Sequence, residues 1–160
     1  MAKVSIIMGS ASDLEIVKEA AEVLKEFKVS YEAKALSAHR TPKEVVQYVE
    51  KASRSGVKVF IAAAGMSAAL PGVVAAHTIL PVIGIPIESG NLKGLDALLS
   101  IAQMPPGVPV GCMSIGKSGA KNAALLALAI LATSNRILAA KLIKYRNQMR
   151  LKIKNAKIKL

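Results

Sequence analysis

The sequence predicts an α/β fold in which a doubly wound parallel sheet is covered by helices on both faces. Apolar strand-like segments alternate with helical segments, and the strand segments are apolar throughout, as strands covered on both faces usually are. Small and polar residues follow several of these strands, at the sheet edge where such folds bind ligands. The 160 residues suffice for one domain with a substantial core.

The first half of the chain is predicted to contain two strands, each followed by a helix. In order, these are strand 4–8, helix 13–28, strand 30–36 and a helix from residue 42 to about residue 55. Ser12 followed by Glu15 predicts a capping box for the first helix. For the second helix we expect Thr41 as the N-cap, Pro42 as the first residue and Glu44 as the acid of the first turn.

The second half of the chain is predicted to continue the alternation of strands and helices as far as an apolar helix that ends at residue 132. The predicted segments are strand 57–63, loop 65–69, helix 70–78, strand 82–86, helix 92–101, strand 108–115, loop 116–119 and helix 120–132. The last of these helices is apolar around nearly its whole circumference, which predicts burial on all sides. In a chain of this size another subunit is expected to cover part of it, so the sequence predicts a homo-oligomer.

Composition indicates a cytoplasmic protein without a membrane anchor. No apolar run reaches the roughly 18–20 residues that span a bilayer, and strand-like sequence begins too early for a signal peptide. The single cysteine, Cys112, excludes an internal disulfide and fits a reducing compartment. Because Cys112 lies in the apolar stretch 108–113, we expect it to be buried.

The basic charge of the chain is concentrated at its C-terminal end. The formal net charge is +12, of which residues 134–160 contribute +9 with nine cations and no acid. We therefore divide the chain into one α/β catalytic domain, 1–133, and a basic C-terminal helix, 134–160. Apolar positions compatible with this helix are Ile137, Leu138, Leu142, Ile143, Met149, Ile153 and Ile158.

Two interpretations of the basic helix are possible. Clustered Lys and Arg can bind a nucleic-acid backbone, but the segment has only Tyr145 as an aromatic and no groove-reading motif. We favour a helix that packs on the body or on a neighbouring subunit and pairs its cations with acids there. No nucleic acid is expected as a partner.

Polar residues directly after the first strand form a candidate ligand site. Ser10 and Ser12 offer hydroxyls for a phosphate, and Asp13 offers a carboxylate for sugar hydroxyls. The alternative is a simple helix cap, which Ser12 alone would satisfy.

A second candidate group follows the second strand. Ser37, Ala38, His39 and Arg40 lie where the strand pattern gives way to a helix. Histidine exchanges protons near neutral pH, and arginine binds phosphate with a bidentate fork. This pairing suggests chemistry on a phosphorylated metabolite, whereas His77, the other histidine, is expected to be a surface or core residue of a helix.

The loop and helix start at residues 65–72 form the third candidate group. Gly65, Ser67, Ala68 and Leu70 belong to a run of mostly small residues that lets a ligand approach the backbone closely. Tight packing against a neighbour would select the same residues, and both explanations can hold. No spacing typical of a metal site, a nucleophile elbow or a Walker loop is present.

These motifs together resemble a known family. In order, the matching segments are 8–13, 37–42, 68–72, 80–84, 103–110 and 122–126. The chain is similar, over residues 3 to about 133, to the catalytic subunit of phosphoribosylaminoimidazole carboxylase. Bacterial-type members of that family are N5-carboxyaminoimidazole ribonucleotide mutases of purine synthesis.

The resemblance implies a fold, an assembly and residue roles. The family has a three-layer αβα, flavodoxin-like fold, is usually a homo-octamer with sites where subunits meet, and needs no metal or organic cofactor. Its mutases move a carboxylate from the exocyclic nitrogen of a ribonucleotide to ring carbon C4. By motif, His39 is the general acid–base, and the remaining matched residues bind substrate: Ser10, Ser12, Asp13, Ser37, Ala38, Arg40, Gly65, Ser67, Ala68 and Leu70. Among these, Arg40 binds the phosphate.

One position departs from the mutase pattern. Mutases usually carry histidine where this chain has Ala69, and that histidine lines the pocket. The sister group, which carboxylates aminoimidazole ribonucleotide directly with carbon dioxide, lacks the histidine but usually has lysine in place of Arg40. Arg40 therefore favours a mutase and Ala69 a direct carboxylase. A nucleotide-binding module without turnover is the third alternative.

Overall fold

The computed structural model describes residues 2–156, which form eleven regular strands and helices around one sheet. The elements in chain order are β1 Val4–Met8, α1 Leu14–Glu26, β2 Tyr31–Ala35, α2 Pro42–Arg54, β3 Val59–Gly65, α3 Leu70–Ala76, β4 Val82–Ile87, α4 Leu95–Ala102, β5 Gly111–Cys112, α5 Gly116–Ala132 and α6 Arg136–Lys154. A short 3-10 turn, Ala11–Asp13, precedes α1.

All four strand pairings are parallel, and the order across the sheet is β2-β1-β3-β4-β5. The chain winds outward from β1 to β2, then returns past β1 to β3 and continues the other way. This is the flavodoxin-like order, whose ligand crevice lies where the winding reverses, outside the carboxyl ends of β1 and β3. The predicted doubly wound α/β fold is confirmed.

Alternate residues of the central strands face two separate apolar layers. Ile6 and Ile61 are paired neighbours that pack toward α1 and α5, whereas Ile7 and Phe60 face α2, α3 and α4. Each strand therefore buries both of its faces, which explains why β1, β3 and β4 have no polar side chain except Ser5. The Ser5 hydroxyl is satisfied by the Tyr48 hydroxyl at 2.6 Å.

Strand β2 departs from the expectation of apolar strands. Four of its five residues, including Tyr31 and Lys34, are exposed. β2 is the edge strand, and its charged side chains discourage pairing with another sheet edge. The fifth strand is also shorter than predicted: only Gly111–Cys112 pairs with β4, since Pro109 cannot donate to a ladder.

The glycine-bracketed loop predicted at residues 116–119 is instead the first turn of α5. Helix α5 packs closely on α1 and buries the face that carries Ala120, Ala123 and Leu128. Leu125 and Leu126, on its other side, are only half-buried. The single chain therefore covers one side of α5, and burial of the other side by a second subunit stays a prediction.

Helix α6 extends the same layer. The Asn135 side chain caps it by accepting from the Leu138 amide at 3.0 Å. Leu138 is buried in the core, and Tyr145 meets Phe27 edge-on with ring centroids 5.5 Å apart. Farther out, Ile153 is 78% exposed.

Two sequence expectations about the C-terminal segment are left without support from the single chain. The expected pairing of its cations with acids is not formed within residues 2–156, where the three ion pairs lie elsewhere. Ile158, the last of the predicted apolar positions, lies outside the described residues. No helix of the described part of the chain is long and apolar enough to cross a membrane.

Cys112 is half-buried rather than fully buried. Its sulfur lies 3.5 Å from the Met113 carbonyl oxygen and 3.8 Å from that of Leu98. Burial raises the pKa of this thiol above its usual value.

Gly84 leaves the room in which α4 packs against the sheet, so replacing it should lower the stability of the protein. A Cβ at Gly84 would overlap the Ile101 side chain and lie 3.3 Å from Val110. We expect Gly84→Ala to lower the free energy of unfolding by about 1–3 kcal/mol, since overpacking forces buried neighbours to move. Urea unfolding at fixed protein concentration measures the change.

The matched control is Gly111→Ala, on the neighbouring strand. There the nearest atom to an added Cβ is 3.7 Å away, so room exists. Equal destabilisation by both substitutions would show that the contact with Ile101 is not the cause.

Candidate active site

A cavity of about 580 Å³ lies at the carboxyl edge of the sheet, between the segments that follow β1, β2, β3 and β4. Every residue predicted to belong to the site lines it, and so do five others. The complete lining is Gly9, Ser10, Ser12, Asp13, Ser37, Ala38, His39, Arg40, Ala64, Gly65, Met66, Ser67, Ala68, Ala69, Leu70 and Ser89. The three candidate groups, which are far apart in the sequence, therefore surround one space.

The segment after β1 is a closed network of short-range hydrogen bonds. The Ser10 amide donates to Asp13 Oδ2 at 3.1 Å, and the Ser12 amide donates to Ser10 Oγ at 3.3 Å. The Ser12 hydroxyl donates to Ser10 Oγ at 2.9 Å and lies 3.2 Å from Asp13 Oδ1. These bonds fix both hydroxyls and the carboxylate at the cavity wall.

The predicted capping box of Ser12 and Glu15 is wrong, because the first helical turn begins earlier in the chain, at Ala11. Ser10 and Asp13 form the box instead, around the 3-10 turn that leads into α1. Asp13 thus lies inside the turn, where burial raises the pKa of its carboxyl. Hydrogen bonds from Ser12 and Ser10 and the charge of Arg40 lower this pKa, but they do not outweigh burial.

Arg40 joins the segment after β2 to the one after β1. Its Nη2 donates to the Gly9 carbonyl oxygen at 3.1 Å, and its Nε donates to Ser37 Oγ at 3.3 Å. The Arg40 amide also donates to Ser37 Oγ, at 3.2 Å. The guanidinium is therefore held at the switch point of the sheet, with donors left for an anionic ligand.

Thr41 is the N-cap residue of α2 as predicted, but its side chain forms no capping hydrogen bond with the helix. Its hydroxyl accepts from the Ser37 amide at 2.9 Å and donates to the Ser37 carbonyl oxygen at 3.1 Å. The hydroxyl closes the loop that carries Ala38 and His39 instead. A threonine hydroxyl often bonds to a nearby backbone group other than the helix amides, and here it bonds to the backbone of Ser37.

His39 lies at the mouth of the cavity with an exposed imidazole. No side chain or backbone group of residues 2–156 forms a hydrogen bond with either of its ring nitrogens. Both nitrogens are free to exchange protons with a ligand. His77 lies elsewhere, exposed at the end of α3, and of its two predicted positions, helix surface or core, it takes the surface one.

The segment after β3 forms the floor of the cavity. Ala68 and Leu70 are buried, and the Ala68 amide donates to the Met66 carbonyl oxygen at 2.8 Å. Met66 has a positive φ of 54°, an uncommon conformation outside glycine that turns the chain sharply after β3. Ala69, at the position where mutases usually have histidine, lines the cavity with a methyl group.

Sequence reasoning missed Ser89, which lines the cavity from the segment after β4. The available signal was its place two residues beyond a buried strand, at the edge that the other loops share. Gly9, Ala64 and Met66 were also absent from the predicted set. Within residues 2–156, no three His, Cys, Asp or Glu side chains gather in a way that could hold a metal ion.

Comparison with known proteins identifies close relatives. The AIR carboxylase family profile matches residues 3–152. The N5-carboxyaminoimidazole ribonucleotide mutase of Pyrococcus abyssi is 57% identical over 150 residues, which cover 94% of this chain and 85% of the relative. That of Bacillus subtilis is 56% identical over 139 residues, 87% of this chain and 86% of the relative.

A solved structure has the same architecture. PurE of Treponema denticola superposes with a TM-score of 0.86 at 32% sequence identity, covering 94% of this chain and 92% of that one. A 3-dehydroquinate dehydratase-like protein of Bifidobacterium longum is only 18% identical, with a TM-score of 0.54, and shares the fold alone.

The raised pKa of Asp13 predicts a pH-dependent effect of Asp13→Asn on stability. A raised pKa means that the folded protein binds this proton more tightly than the unfolded chain does. The carboxyl therefore favours folding below its unfolded pKa, and this contribution is lost as the pH rises through the folded pKa. We expect the variant to gain stability relative to the native chain as the pH rises from below the ordinary aspartate pKa, about 4, through the higher pKa of the folded protein.

Urea unfolding of both proteins across that range gives the difference. Asp96→Asn, which replaces the chain's other aspartate, reports the effect of losing a carboxylate elsewhere. A variant that loses relative stability with rising pH would show that Arg40 and the serine hydrogen bonds outweigh burial.

Proposed function

The chain belongs to the AIR carboxylase family, and we propose that it interconverts N5-carboxyaminoimidazole ribonucleotide and 4-carboxy-5-aminoimidazole ribonucleotide in purine biosynthesis. The observation that carries the proposal is the convergence of His39, Arg40 and the Ser10–Asp13 network on one cavity, in a chain that is more than half identical to mutases. The enzyme acts on a small-molecule substrate.

The two ends of the cavity suit the two ends of a ribonucleotide. Arg40 and Ser10 supply a guanidinium and a hydroxyl for the phosphate, near the carboxyl ends of β1 and β2. Asp13 accepts hydrogen bonds from ribose hydroxyls. Ser37 holds Arg40 in position through two hydrogen bonds to its own hydroxyl.

The imidazole ring of the substrate then lies over the segment after β3. Gly65, Ser67, Ala68 and Leu70 present backbone groups and small side chains there, and Ala38 borders the same space. A planar ring can approach such a backbone closely. Ser12 completes the wall through its bonds to Ser10 and Asp13.

His39 can serve both proton transfers of the reaction. As an imidazolium it protonates the exocyclic nitrogen, the bond from nitrogen to the carboxyl carbon breaks, and carbon dioxide is released. The enamine-like C4 then attacks carbon dioxide and forms the new C–C bond. Neutral His39 removes the C4 proton and returns to its starting state, so no net proton is consumed.

We place this reaction in the cytoplasm, in an octamer whose subunits complete each other's sites. Carbon dioxide must stay beside C4 between the two steps, and the single chain leaves the mouth of the cavity open at His39. The half-buried side of α5 and the exposed Ile137, Ile143 and Ile153 of α6 provide apolar surface for subunit contacts. Small-molecule substrate, not nucleic acid, is the proposed ligand.

Removal of the histidine should nearly abolish turnover. We expect His39→Asn to reduce kcat for the N-carboxylated substrate by about 10²–10⁴-fold, the usual contribution of general acid–base catalysis. Conversion is followed by the formation of the 4-carboxy product. The control His77→Asn changes the other histidine, outside the cavity, and should leave kcat unchanged.

Retention of activity in the His39 variant would refute its role. Two further outcomes separate the alternatives for the whole site. Faster turnover of aminoimidazole ribonucleotide with bicarbonate would identify a direct carboxylase, as Ala69 allows. Tight ribonucleotide binding without product would identify a binding module.

The proposed assembly makes a separate prediction. Sedimentation at several protein concentrations should give one species with the mass of eight chains. Removing the residues after Tyr145 deletes the outer part of α6 and should weaken assembly, because exposed apolar residues such as Ile153 are lost. A stable octamer from the shortened chain would show that α5 and the body suffice.

A further inference from the structure

Ser89 is a cavity residue to which the proposed mechanism gives no role. It follows β4 by two residues and lines the cavity beside Gly65. Its hydroxyl oxygen is buried and has no hydrogen-bond partner among the described residues. A buried, unpaired hydroxyl is unfavourable, and such a group in a native site calls for a functional explanation.

The position of the Ser89 hydroxyl explains why residue 65 is a glycine. A Cβ at Gly65 would lie 2.5 Å from Ser89 Oγ, so only glycine leaves room for the hydroxyl where it now rests. Serine has three staggered χ1 positions, and rotation about this one bond redirects the oxygen. Because no hydrogen bond holds it against Gly65, a ligand acceptor in the cavity can draw it out.

The strand order assigns this hydroxyl to one end of the ligand. The Arg40 guanidinium is bonded to Gly9, directly after β1, and Ser89 follows β4, two strands farther along the sheet. Two strand spacings amount to roughly 10 Å, which is comparable with the span of a ribonucleotide from its phosphate to its base. With the phosphate at Arg40, Ser89 is next to the far end, where the base and its carboxylate lie.

The chemistry at that end favours a neutral donor. Of the described residues that line the cavity after β3 and β4, none is a lysine or an arginine. A cation would stabilise the carboxylate more than the neutral carbon dioxide that it becomes, and so would oppose the loss of carbon dioxide. A hydroxyl can orient the carboxylate with a weaker preference for its charged state.

We propose that Ser89 is a specificity-determining residue, whose hydroxyl turns into the cavity and donates a hydrogen bond to the carboxylate that the reaction moves. This inference rests on the proposed function. It gives the site a means to distinguish carboxylated ribonucleotides from aminoimidazole ribonucleotide, which has no such acceptor.

The test compares two ligands that differ only in the carboxylate. Ser89→Ala is made in a His39→Asn background, where proton transfer is disabled and calorimetry measures binding alone. We expect the Kd of 4-carboxy-5-aminoimidazole ribonucleotide to rise about tenfold or more, as for a hydrogen bond to a charged group. The Kd of aminoimidazole ribonucleotide should change less than about twofold.

Ser53→Ala, in the same background, is the matched control. Its hydroxyl is bonded to that of Thr78 at 2.9 Å, outside the cavity. This substitution should lower the unfolding midpoint and leave both Kd values unchanged, whereas Ser89→Ala removes an unpaired group and should not lower the midpoint.

The outcomes separate this inference from the proposed function. An equal loss of affinity for both ligands, or no loss for either, would overturn the role of Ser89. A His39-intact enzyme that binds the carboxylated ligand without converting it would refute the mutase proposal, while the comparison of the two ligands would still decide about Ser89. Failure of the ribonucleotides to bind would overturn both.

Discussion

The meeting of the three candidate groups in one cavity depends on the double pairing of β1. This strand is bonded to β2 on one side and to β3 on the other, in parallel and in register from Val4 to Met8. The ends of three strands are thereby fixed side by side, and the loops that leave them must share one space. Because parallel strands need long crossovers, each loop leads into a helix that packs back on the sheet and holds the loop in place.

The polar residues of the cavity are largely organised before any ligand arrives. Arg40 is bonded to Gly9 and Ser37, and Asp13 is bonded to Ser10. A long side chain that is already ordered loses little entropy on binding an anion, so more of the interaction energy appears as affinity. His39 is the contrast, since it is exposed and unbonded within the described chain, which suits the proton transfers that we propose for it.

The sequence predicted most of this arrangement because local patterns and the family resemblance pointed the same way. The segments after β1, β2 and β3 carried recognisable side chains, and all of them line the cavity. Ser89 carried only a weak signal: a single serine two residues after a buried strand is commonplace, and only the strand order brings it beside Gly65. The two errors in helix capping have one cause, since Ser12 and Thr41 each had two local hydrogen-bonding options that sequence cannot rank.

Cys112 has a chemical consequence of its own. The thiolate is the nucleophile that attacks alkylating reagents and mild oxidants, and the raised pKa favours the unreactive thiol form at neutral pH. As the only cysteine, it is also the only place where such reagents could form a thioether or a mixed disulfide. The lone sulfhydryl should therefore be labelled more slowly than a free, exposed cysteine.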